Sequence, residues 1–258
     1  MINKELRKKI VEIIVKAREG HIPSSLSIVD IINYIYEKEL NFDPKNKKWE
    51  KRDYFILSKG HGAAALYVVL NKYKIISNKI LSDYGRDGSL LGGHPDSTKV
   101  PGVEANTGSL GHGFPFAVGI AKGLDIRKKK NKVLCLLGDG ECQEGSVWEA
   151  ANLAANHNLK NITCIIDWNK SAQQLMPVEN LSKRWESFGW HVENGYGHSN
   201  IEFKKIFKKI SKTSISKPKV VILNTTKGKG IPFMEGHGIW HHKIPNKDEL
   251  IKINHLLS

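Results

Sequence analysis

Apolar residues change their spacing along this chain, and the changes mark its elements. From Asn3 to Glu19, Leu6, Ile10, Ile13, Ile14 and Ala17 fall on one face at helical period, and Gly20 ends the run. His21-Ile22-Pro23-Ser24-Ser25 reads as a loop, with a second amphipathic segment from about Ser27 to Leu40. Arg52 to Leu57 reads as a short strand that stops at Ser58-Lys59-Gly60-His61-Gly62, and a helix resumes from Ala63 to Tyr73. Gly88 to Pro95 is a glycine-rich loop containing His94, and Thr107 to Gly113 opens a helical run through Ala121 to about Lys130. Two unbroken apolar runs, Val133–Leu137 and Ile162–Ile166, enclose a helix-like stretch, Glu144 to Asn158. Unbroken runs of this length suit strands buried on both faces of a parallel sheet. A helix near Leu181 to Phe188, a short strand at Trp190-His191-Val192 and a basic amphipathic helix over Ile201–Ser211 follow. A buried strand over Lys219–Asn224 leads into a glycine-lysine turn, Thr225 to Gly230, expected to be mobile, and the chain closes with a short helix after Pro245 and Asp248. The alternation predicts an α/β fold, a parallel sheet flanked by helices, as one domain over residues 1–258.

Chemistry gathers where the two central runs end. The first breaks at Gly138-Asp139-Gly140-Glu141 and the second at Asp167-Trp168-Asn169. In a β-α-β unit these strands lie close together, so Asp139 and Asn169 can converge at the carboxyl ends, where open α/β sheets place ligands. A carboxylate and an amide oxygen are hard ligands of the kind Mg²⁺ takes alongside phosphates. Gly138 and Gly140 let the backbone approach an anion. The pattern predicts a site for Mg²⁺ (or Ca²⁺) and a diphosphate.

Composition narrows the classes. The formal charge of +14 invites a nucleic-acid partner, but only six of the 40 basic residues are Arg, and they are spread along the chain. The densest run, Arg127 to Lys130, lacks interleaved aromatic residues and suits a solvated helix end. No nucleic-acid partner is expected, and a basic field favours anionic sugar phosphates instead. Cys135, Cys142 and Cys164 form no Cys-x-x-Cys pair and read as buried thiols of a reducing cytoplasm. No stretch of about 18 apolar residues and no signal-peptide core is present, so neither a membrane span nor secretion is expected.

Several further blocks carry a resemblance. Gly20-His21, Leu57 to His61, Gly92-Gly93-His94-Pro95-Asp96, Pro101 to Glu104, Thr107 to Gly113, Gly138 to Trp148 and Lys227 to Gly230 occur in the order found in transketolases. Over about residues 5–243 the chain resembles the amino-terminal, thiamine diphosphate-binding half of transketolase in its split two-subunit form. The resemblance implies a diphosphate-domain fold, thiamine diphosphate with Mg²⁺, and a metal held by Asp139, Asn169 and the carbonyl of Ser171. It places His61 at the cofactor diphosphate, Gly108, Ser109 and Leu110 along the thiamine, and Gly140 at the diphosphate. Glu144 enters an acidic network at a subunit interface beside the cofactor. His21, His94 and His241 face the sugar, with His61 beside them, and His241 also reaches the diphosphate. Imidazoles suit this work, since a proton must leave the donor's C3 hydroxyl and return near neutral pH. His112, His157, His191, His198, His237, His242 and His255 are read as surface or packing residues.

The implied activity is transfer of a two-carbon ketol unit from a ketose phosphate to an aldose phosphate, as in the pentose phosphate pathway. Alternatives are a specialised sugar-pathway ketol transferase and a 2-oxo acid decarboxylating enzyme; the histidine set disfavours the latter, whose substrates lack multiple hydroxyls. A binding or regulatory role without catalysis is disfavoured by the intact Asp139, Asn169 and site histidines. The chain departs from the family at Ile22 to Ser25, Asn106, Gly195 to Ser199 and His242, which bears on sugar identity. With the chain ending at Ser258, a separate carboxyl-terminal subunit carrying the pyrimidine-binding domain is expected, in an α2β2 assembly. Small residues at Gly119, Ala121, Ala150, Ala151, Ala154 and Ala155 suit either that contact or packing within the domain.

Overall fold

The computed structural model describes residues 2–46, 49–212, 214–236 and 238–258. Five strands form one parallel sheet: β1 (Tyr54–Leu57), β2 (Val133–Gly138), β3 (Ile162–Trp168), β4 (His191–Tyr196) and β5 (Lys219–Asn224), in the order β1-β2-β3-β5-β4. Alternate residues of the central strands feed opposite cores, as the pleat requires. Leu134, Leu136, Ile165, Val221 and Leu223 join one apolar cluster, and Val133, Cys135, Leu137, Cys164, Ile166, Val220 and Ile222 join the other.

The first core is built with α1 (Lys4–Ala17), α2 (Ile22–Tyr34), α3 (Ala63–Lys72), α4 (Asn78–Ser82), α8 (Asn200–Ile210) and α9 (Lys247–Leu256). The second is built with α5 (Gly113–Ile126), α6 (Gly145–Asn156) and α7 (Leu181–Ser187). The cysteines are free and buried, as read from the sequence. Among the described residues no helix is long and apolar enough to cross a membrane.

The structure corrects several boundaries. The serine-rich stretch after His21 is the first turn of α2, not a loop, and every residue of that helix is buried. Pro23 is tolerated there because a first-turn residue needs no N–H for the helix ladder. The first helix ends at Arg18, whose backbone is left-handed at φ 56, before Gly20. The edge strand β4 runs on to Tyr196. Its Glu193-Asn194-Gly195 looks like a turn, but a half-exposed edge strand can carry polar residues. A Cβ on Gly195 would lie 2.1 Å from Ile206 Cδ1 on α8, so a larger residue there would require the Ile206 side chain to shift.

Candidate active site

Four strands that are neighbours in the sheet, β1, β2, β3 and β5, each end in a polar segment on the same edge. These ends and the segment around His241 enclose a cleft of about 420 Å³. Seven of the expected site residues line it: His61, Leu110, Asp139, Gly140, Asn169, Ser171 and His241. Five expected residues are absent from its wall. His21 stands just behind, with its ring centroid 5.3 Å from that of His61 and 5.0 Å from that of His241. His94 lies against Gly108, where a Cβ would come within 3.0 Å of its ring, and Ser109 is exposed beside Leu110. Glu144 sits exposed at the start of α6, with its side chain against Gly111 of the Ser109 loop. The buried acid facing the cleft is Glu141, which accepts from Ser58 Oγ and the Gly111 N–H.

The loop Thr107 to Gly113 reaches the cleft through a close backbone approach. A Cβ on Gly60 would lie 2.7 Å from the Gly108 nitrogen, so only glycine lets the two segments meet.

The cleft floor is a buried polar network. Asp167 is fully buried and pairs with Lys59. It also accepts from Ser27 Oγ at 2.8 Å, Asn169 Nδ2 at 2.9 Å and Thr225 Oγ1. Burial alone would raise its carboxyl, but the Lys59 charge and these bonds hold it below the ordinary value. The bond from Asn169 Nδ2 to Asp167 fixes the amide, leaving Oδ1 to accept the Ser171 N–H at 3.0 Å.

Asp139 has a different environment. It is 4% exposed and accepts the Gly140 N–H at 2.9 Å and the Ala172 N–H at 3.1 Å. Among the described residues no Lys or Arg forms a salt bridge with it, and burial pushes its carboxyl up despite those bonds. A buried carboxylate without a cationic partner, beside an oriented amide oxygen, is a donor set that fits a hard divalent cation.

The other side of the cleft is basic. Lys227, unassigned from the sequence, is 7% exposed and contacts Ser171 Oγ at 3.3 Å and His241 Nδ1 at 2.8 Å. Burial, then the Lys59 charge, lowers its pKa. Far from being loose, its turn is held by the Gly228 N–H on the Pro23 carbonyl at 3.0 Å and the Gly236 N–H on the Lys227 carbonyl at 2.9 Å. Burial and the neighbouring His241, His242, His94 and Lys227 lower His21 to about 4. Burial and Lys227 lower His241 to about 4, and burial with Lys59 lowers His61 to about 2. Neutral imidazoles and lysines thus face the same space, which suits an anion with hydroxyls. Buried polar atoms without partners, His21 Nδ1 and Ser25 Oγ, lie at the start of α2 beside it.

The remaining histidines divide. His242 is not merely a surface residue, since its ring lies 4.8 Å from His21 and 4.6 Å from His241. His198 is buried against Asp30, His157 sits beside Lys122, and His191 starts β4. His112 and His255 are exposed, and His237 lies outside the described residues. Sequence reasoning missed Lys59, Lys227 and Asp167 as site residues. A signal existed for two of them, since Lys59 follows β1 two residues before His61 and Asp167 lies near the end of β3 two residues before Asn169.

The family described as "Transketolase, thiamine diphosphate binding domain" matches residues 1–256. An apulose-4-phosphate transketolase subunit of Phocaeicola vulgatus is 40% identical over 248 residues, covering 94% of this chain and 88% of that protein. The 6-deoxy-6-sulfo-D-fructose transketolase subunit SqwG of a Clostridium species is 37% identical, covering 90% of this chain and 86% of that protein. Among solved structures, transketolase from Campylobacter jejuni superposes with a TM-score of 0.89 at 30% identity. That match covers 98% of this chain and 41% of the other, so the chain spans about two-fifths of the full-length enzyme.

Proposed function

Since the chain belongs to the transketolase family, as its thiamine diphosphate-binding domain, we propose that it moves a two-carbon ketol unit from a ketose phosphate to an aldose phosphate, together with a separate subunit. The observation that carries this reading is the meeting of Asp139, Asn169 and the imidazoles of His61, His21 and His241 at one sheet edge. Asp139, Asn169 and the Ser171 carbonyl would hold Mg²⁺, with Ca²⁺ as a substitute. Lys227, His61 and Gly140 would meet the diphosphate, and Gly108, Ser109 and Leu110 the thiamine. Bound thiamine diphosphate supplies the carbon nucleophile and the electron sink for cleavage beside a ketose carbonyl.

The chain's own residues handle protons and orientation. His241 would take the proton from the donor's C3 hydroxyl and return one to the acceptor. Its Nδ1 faces Lys227, which fixes the ring. His21 and His94 would hold the sugar hydroxyls, and Leu110 and Leu175 give the wall an apolar stretch.

The site closes only with a second surface, and the partner would carry the pyrimidine-binding domain in an α2β2 complex. The related proteins from Phocaeicola vulgatus and Actinobacillus succinogenes are each named as one subunit of a transketolase, which supports such a division. A cytoplasmic enzyme of pentose phosphate chemistry is the first assignment. His242, packed on His21, favours a second: a specialised sugar-pathway ketol transferase, as the related proteins' names suggest.

The test is ketol transfer by the co-purified pair with thiamine diphosphate, Mg²⁺, xylulose 5-phosphate and ribose 5-phosphate. Glyceraldehyde 3-phosphate and sedoheptulose 7-phosphate should appear. No product here, with turnover of a modified ketose phosphate, selects the second assignment. His241→Ala should lower turnover with modest loss of cofactor affinity, and unchanged turnover removes its proton-transfer role.

A further inference from the structure

Behind the cleft, and not lining it, lies a buried ionic cluster that the chemistry above leaves unused. Arg7 on α1, Asp30 on α2 and His198 after β4 are 0%, 6% and 5% exposed. Arg7 makes a two-pronged contact with Asp30, at 2.8 Å to Oδ1 and 2.6 Å to Oδ2. His198 Nδ1 lies 3.0 Å from Asp30 Oδ2. The Thr226 N–H donates to His198 Nε2 at 2.9 Å, which makes Nε2 the acceptor and assigns the ring proton to Nδ1, facing Asp30. Arg7 Nε in turn donates to the Lys229 carbonyl at 2.8 Å. The cluster therefore grips one turn twice, at residue 226 and at residue 229. Between the grips stands Lys227, whose ammonium projects into the cleft beside Ser171 and His241.

A buried ionic cluster is a poor device for stability alone, since well-packed apolar residues of similar volume often hold a fold as well or better. What apolar residues cannot do is fix a backbone N–H and a backbone carbonyl of a turn in position. We propose that Arg7, Asp30 and His198 are positioning residues that set the Lys227 turn, and through it the preference of the cleft for a diphosphate over a monophosphate. This rests on the cofactor reading given above. None of the three lines the cleft. Their effect passes through two backbone hydrogen bonds to Lys227, the cleft lysine that contacts Ser171 and His241.

The experiment uses the full chain co-purified with its partner subunit, in Mg²⁺. Tryptophan fluorescence gives dissociation constants for thiamine diphosphate and thiamine monophosphate, and a melt gives stability. His198→Leu removes one grip; the double variant Arg7→Met/Asp30→Leu removes the other with an apolar pair. In both, affinity for the diphosphate should fall ~10-fold, equivalent to about 1.4 kcal/mol, while affinity for the monophosphate changes less than about 2-fold. His198→Gln, which can still accept from Thr226, should recover part of the preference. A merely structural cluster predicts a lower melting temperature with the ratio of the two constants unchanged, and that result overturns the proposal. Loss of folding in every variant overturns it as well. A wild-type complex that binds no thiamine diphosphate fails the cofactor reading itself, a result visible before any variant is compared, and the proposal falls with it.

Discussion

Two buried aspartates in one cleft are prepared for opposite tasks. Asp167 is held ionised by Lys59 and three further donors, and its neighbours orient Asn169. Removing one partner leaves an uncompensated buried charge, so Lys59→Met should cost ~3–5 kcal/mol in a denaturant melt. Among the described residues Asp139 has no such salt-bridge partner, and burial raises its pKa. A carboxyl raised in the folded state binds its proton more tightly there, so its contribution to stability falls as pH rises through the ordinary carboxylate range. A bound cation would offset that loss. Mg²⁺ with thiamine diphosphate at ~100 times its dissociation constant should stabilise by about 2.7 kcal/mol, and Asp139→Asn should show little of this shift. The histidines carry the reverse sign. His21 and His241, lowered to about 4, bind fewer protons folded than unfolded between pH 6.5 and 4. Acidification across that window destabilises the chain, and a pH series of melts on His21→Gln should show a flatter decline. Much of this was legible in sequence, because Asp139 and Asn169 stand at ends of plainly apolar runs. Lys227 was not, since its burial depends on contacts from Ser171, His241 and the α2 start that no local pattern announces.

Elements divide the small residues that sequence left open. Ala121, Ala150, Ala151 and Ala154 are buried, so they serve packing within the domain, including α5 against α6. At Gly119 and Gly123 on α5 the space a Cβ would occupy is open among the described residues, and Phe116 on the same helix is 51% exposed. A glycine inside a helix costs roughly 1 kcal/mol relative to alanine, so this open face is suited to a close-packed partner helix. Gly119→Leu should leave the isolated chain folded, or more stable, and prevent co-purification with the partner subunit; an intact complex would remove α5 from the interface. The parallel central strands were legible because burial on both faces leaves unbroken apolar runs. The α2 start and the second half of β4 were not: one is a buried helix turn rich in serine and proline, the other a polar edge strand.

At the scale of the molecule, the parallel order brings four neighbouring strand ends to one edge, and the cofactor chemistry needs them together. Fold class and cofactor could be argued from the order of motifs, whereas the sugar could not, since departures from the family pattern such as His242 leave donor and acceptor open. The most direct test of the central claim is a thiamine diphosphate titration of the co-purified complex, wild type and Asp139→Ala, with Mg²⁺ and after chelation. Tight binding that requires Mg²⁺ and is lost in the variant is the predicted result. Binding that survives both chelation and loss of Asp139 would contradict the account.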